Sequence, residues 1–83
     1  MMMSILEIRQ VLKYLNIECN FDDINILGNL SHGFNVYYNG EFVFEYVTLP
    51  VWHNNVVTGT RVITYKQGDK LEQIYLDDIL KKS

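Results

Sequence analysis

Asn39-Gly40 stands between two alternating runs rich in β-formers, residues 34–38 and 41–49. Both central positions of a type I′ turn need positive φ, which Asn and Gly adopt most readily. The dipeptide therefore predicts a two-residue hairpin and, with it, a register. Tyr38 falls opposite Glu41, Tyr37 opposite Phe42 and Val36 opposite Val43. Alternation then puts Tyr37, Phe42, Phe44 and Tyr46 on one face, with Asn35 and Thr48 at its end. Phe34, Val36, Tyr38, Val43 and Val47 go to the other, interrupted by Glu41 and Glu45. Both faces are substantially apolar, whereas a sheet with one wet face alternates more cleanly.

The hairpin needs a partner layer, and the N-terminus supplies one. Ser4-Ile5-Leu6-Glu7 has the form of a capping box, with Met3 and Ile8 placed as a hydrophobic staple. Ile5, Ile8, Val11, Leu12 and Leu15 recur at helical spacing, and Asn16 suits a left-handed C-terminal cap. A strand is expected near residues 24–27, ended by Gly28-Asn29, followed by a loop at Ser31-His32-Gly33. Pro50 ends the hairpin strand or marks an edge, and residues 51–53 form a short extended segment. Asn54-Asn55 reads as a turn. Residues 60–66 read as a strand, turned by residues 67–70 into a returning strand at 71–76. Asp77 is placed to cap a helical turn over residues 78–82. The expected fold is α+β: an N-terminal amphipathic helix on a curled antiparallel sheet of four to six strands, with a short C-terminal helical turn. At 83 residues the chain (1–83) is expected to be a single domain.

Hydrophobic residues make up 48% of the chain and charged residues 20%, which suits a globular protein rather than a disordered one. The formal charge of −3 disfavours nucleic acid and anionic membranes, which need clustered Lys and Arg. Cys19 is the only cysteine, so no internal disulfide framework exists and a reducing compartment is expected. No apolar run approaches the roughly 18 residues of a spanning helix. The start lacks the basic region and cleavage site of a signal peptide, which favours a cytoplasmic protein. Alanine is absent while Ile, Asn and Tyr abound, a coding bias of AT-rich genomes such as those of low-GC bacteria and their phages.

Motifs for chemistry are sparse. Cys19, His32 and His53 lack the paired spacing of a structural zinc site. No nucleophile motif accompanies Cys19, and Asp22-Asp23 and Asp77-Asp78 suit turns and caps. The glycines are spread one per turn instead of clustered around a phosphate. The aromatic strip lacks the basic groove of a single-strand binder, having Glu41 and Glu45 beside it. Neither metal nor cofactor is expected.

These exclusions favour a non-catalytic protein-binding module, with a protein partner or a second copy of itself as the bound species. One short helix cannot cover both hairpin faces, so the face broken by glutamates is the expected interface: Tyr38, Glu41, Val43, Glu45 and Trp52, with Tyr38 and Trp52 as anchors. A phage or mobile-element inhibitor of a host defence enzyme, of the anti-CRISPR kind and acting in the host cytoplasm, is the specific form that composition suggests. The alternatives are a small enzyme or toxin using a histidine general base, or a small virion or assembly component.

Overall fold

The computed structural model describes residues 3–82, with Val51 described by its backbone alone. Helix α1 (Ile5–Tyr14) begins at the expected capping box. The Glu7 N–H donates to Ser4 Oγ at 3.2 Å, and the Ser4 N–H donates to Glu7 Oε1 at 3.0 Å. The helix ends where Asn16 takes φ 60°. There the Asn16 N–H donates to the Lys13 carbonyl and the Ile17 N–H to the Leu12 carbonyl, at 3.0 and 2.9 Å. This is the Schellman pattern, in which the left-handed residue lets two C-terminal carbonyls find donors.

A 3-10 turn (Phe21–Asp23) leads into five strands: β1 (Ile24–Asn29), β2 (Gly33–Tyr38), β3 (Glu41–His53), β4 (Val56–Gln67) and β5 (Lys70–Tyr75). They lie in chain order as one antiparallel sheet, with β1 and β5 at its edges. Helix α2 (Leu76–Lys81) follows directly. Fold and class are the α+β arrangement expected from the sequence. Asn39 and Gly40 have φ 52° and 79°, as a primed hairpin turn requires.

The expected register holds for two pairs and then breaks. Tyr38 faces Glu41 and Tyr37 faces Phe42, but Val36 faces Phe44 and not Val43. Val43 is the extra residue of a β-bulge, so the sides of β3 exchange beyond it. Phe44 and Tyr46 thereby join Phe34 and Val36 in the core, and Val43 is buried with them. Tyr37 and Phe42 are left on the other side, ring centroids 6.0 Å apart and nearly perpendicular. The two-face assignment read from strict alternation is corrected accordingly: one inserted residue inverts a period-two pattern.

Both helices pack on this same face. Ile8, Val11 and Leu12 of α1 and Leu76 and Ile79 of α2 close over Phe34, Val36, Phe44, Tyr46 and Ile63. Phe34 stacks obliquely on Tyr46 at 5.1 Å. Opposite Phe34 in the ladder lies Gly28 with φ 130°, where a Cβ would come within 2.6 Å of the Gly33 carbonyl oxygen. Only glycine lets β1 approach this closely.

Arg61 of β4 ties the layers together. Its guanidinium donates to Glu7 Oε2 at 2.9 Å and to Asp77 Oδ1 at 3.0 Å. Asp77 thus sits inside the first turn of α2 and serves Arg61; the N-cap is Tyr75, without a side-chain cap bond. The expectation that Asp77 caps the helix is corrected. Burial works against the Arg61 charge, but hydrogen bonds and attraction from Asp77 and Glu7 outweigh it and hold its pKa above the ordinary value.

Candidate functional site

Strands β3 and β4 outrun the rest of the sheet. The pairing of β2 with β3 stops at Gly33–Val47, and that of β5 with β4 at Tyr75–Val62. Beyond those pairs, Thr48–Arg61 through His53–Val56 continue as a two-stranded ribbon closed by Asn54 and Asn55, whose φ angles are 51° and 63°. Thr48–Arg61 is still held to the body, through the Arg61 ion pairs and the Thr48 N–H donating to the His32 carbonyl at 3.3 Å, and the five pairs beyond it carry the arm about 17 Å further. Pro50 does not end the strand, as one reading of the sequence had it. It lies within β3 where β2 no longer pairs with it, the edge position that tolerates a residue without an N–H.

The arm's chemistry is unusual in two respects. No Asp, Glu, Lys or Arg occurs between Glu45 and Arg61. Its apolar side chains are in solvent: Trp52 is 72% exposed, Val56 59%, Val57 50% and Leu49 48%. Trp52 pairs with Val57 across the ribbon. The arm also runs into the sheet face that carries no helix, where Val47 and Val62 pack beside Leu49 and the exposed Tyr75.

A second surface lies at the opposite end of β3. A groove of about 580 Å³ opens between the C-terminal end of α1 and the bulged end of the sheet. Tyr14, Tyr38 and Tyr65 line it, with Val43 at the bulge and Glu18, Glu41 and Lys66 as its charged residues. The Tyr14 and Tyr65 rings meet edge to face, centroids 6.3 Å apart at 83°. Burial, then charge and hydrogen bonding from Tyr14, then the Glu72 carboxylate push the Tyr65 phenol above its ordinary pKa of 10.0. Lys82 Nζ lies 5.6 Å from the Tyr14 ring centroid.

The five residues expected to form one interface are divided between these places. Tyr38, Glu41 and Val43 line the groove. Glu45 lies on the helix-free face, opposite Asn35 and Thr64, because the bulge reverses its side relative to Val43. Trp52 is on the arm. Strict alternation across position 43 hides this split, because the inserted residue there reverses the side of every later position in β3. The uncharged stretch between Glu45 and Arg61 was the available signal for the arm.

His32 lies in the β1–β2 connection and His53 at the arm tip, both exposed. Among the described residues no cluster of three or more His, Cys, Asp or Glu could hold a metal ion. Among them, too, no helix is long and apolar enough to cross a membrane. No protein-family model matches the chain, and no curated protein or solved structure is significantly similar to it.

Proposed function

We propose that the chain is a non-catalytic protein-binding module that docks through its β3–β4 arm, with a second copy of itself as the bound species. The observation that carries this reading is the uncharged, apolar arm standing clear of the core. An isolated two-stranded ribbon is marginal in water, and its exposed Trp, Leu and Val gain most from being covered. The surface area points the same way. A compact protein of this mass exposes about 5,200 Å², whereas this chain exposes 5933 Å². The excess, roughly 700–800 Å², is close to what each partner gives to a standard interface.

Charge restricts where two copies can meet. With a net charge of −3, two chains repel one another over most of their surfaces. The arm, which has no carboxylate between Glu45 and Arg61, is where they meet with least repulsion. Trp52 is the only tryptophan, so its emission reports on the arm alone. On raising the protein concentration, Trp52 emission is expected to shift to the blue and become protected from acrylamide along a dimerisation curve. Emission and quenching that stay constant up to millimolar protein would contradict the reading.

A further inference from the structure

We infer that the tyrosine groove at the end of α1 binds an alkylammonium group, supplied by a small quaternary amine or by a lysine side chain of another protein. The walls are aromatic and set at an angle: Tyr14 and Tyr65 meet at 83°, and Tyr38 lines the same space. Ring faces carry the negative part of the aromatic quadrupole, and perpendicular rings let one cation meet more than one of them.

Two further features agree in sign. The C-terminal end of α1 reaches the groove through Tyr14 and Leu15, bringing the negative end of the helix dipole. Glu18 and Glu41 face a single lysine, Lys66, so the lining carries a net negative charge. Lys82 of the same chain lies 5.6 Å from the Tyr14 ring centroid, outside the groove lining, so a ligand cation shares that ring with a resident positive charge and draws mainly on Tyr65, Tyr38 and the two glutamates. The bulge at Val43 adds an apolar wall suited to N-methyl groups, at a position where bulges commonly re-aim side chains towards ligands. At about 580 Å³ the space lies within the range of small-molecule sites. The arm takes no part, so either assignment can fail without the other.

The test is a titration of the purified protein, followed by NMR, with choline and with its uncharged analogue in which carbon replaces nitrogen. Expected are saturable shifts of the Tyr14, Tyr38 and Tyr65 ring resonances with choline at millimolar concentration, and at least tenfold weaker binding of the analogue. A trimethyllysine peptide binding more tightly than choline would assign the site to a protein side chain, and the reverse order to a free amine. Glu18→Gln and Glu41→Gln lie on exposed positions and keep the fold; each is expected to weaken choline binding a few-fold. Tyr14→Leu is expected to weaken it about fivefold or more, with circular dichroism as the folding control. Equal binding of choline and the analogue, shifts located outside the groove, or indifference to both glutamate changes overturns the assignment.

Discussion

Arg61 Nη1 lies 2.9 Å from Glu7 Oε2, joining the middle of β4 to the first turn of α1 across 54 residues of sequence. The same Glu7 carboxylate closes the capping box through its other oxygen. One side chain thus starts the helix and docks it on the sheet. Arg61 extends the link to α2 through Asp77, so a single guanidinium orients both helices.

Arg61→Leu is expected to lower stability by roughly 1–2 kcal/mol, because it strips a charged hydrogen bond from the half-buried Glu7. The Asp77 contact adds little, since that carboxylate is 71% exposed and screened by water. Urea midpoints of Arg61→Leu and Asp77→Asn measure the two separately, and the second should barely move. The guanidinium keeps its charge at every working pH, so this tie is independent of pH on the arginine side.

Ser4→Ala isolates the cap. Ser4 is exposed, and its side chain has the Glu7 N–H as its partner in the box. A loss of about 1 kcal/mol in urea unfolding is expected. Ser4→Asp, which keeps an acceptor at the cap, should restore most of it.

The bulge predicts an asymmetry between two residues that strict alternation makes equivalent. Val43 is buried and Glu45 lies on the other side of the sheet. Val43→Ala should cost about 1–2.5 kcal/mol as a core truncation, whereas Glu45→Ala should stay within about 0.5 kcal/mol. Equal effects of the two changes would fit an unbulged hairpin instead.

Tyr65 gives the stability a pH dependence at the alkaline end. Its pKa is raised in the fold, first by burial and then by Tyr14 and Glu72, so the unfolded chain gives up this proton more easily. Where the unfolded state binds fewer protons, stability falls as pH rises. The stability contributed by this residue is therefore intact below pH 10.0, the ordinary phenol value, and declines above it. Denaturant midpoints measured across that range should fall for the wild type and less steeply for Tyr65→Phe.

Local chemistry explains which parts of this fold were legible in the sequence. Ser4 with Glu7, Asn16, and Asn39 with Gly40 each encode a backbone requirement within a few residues, and each is where the sequence puts it. The bulge at Val43 encodes nothing comparable: it is one residue too many in an otherwise alternating run, and Val43 is as apolar as a regular strand position requires. Pro50 was ambiguous because it is tolerated at an edge as well as at an end, and only the early finish of β2 makes it an edge. The groove was not legible as a unit. Tyr38, Glu41 and Val43 belong to the expected five-residue interface with Glu45 and Trp52, whereas Tyr14 and Tyr65 come from the helix end and from β4 and meet only through tertiary packing. One face of the sheet carries no helix because α1 and α2 pack on the same side.

The proposed role of the arm is contact between copies of this chain. Sedimentation of the wild type and of Trp52→Ser across micromolar to millimolar concentration tests it most directly. The wild type should pass from monomer to dimer. The variant should remain monomeric to about thirtyfold higher concentration, the shift expected on losing a tryptophan anchor worth about 2 kcal/mol. A wild type that sediments as a monomer throughout, or a variant that dimerises as readily as the wild type, would contradict it.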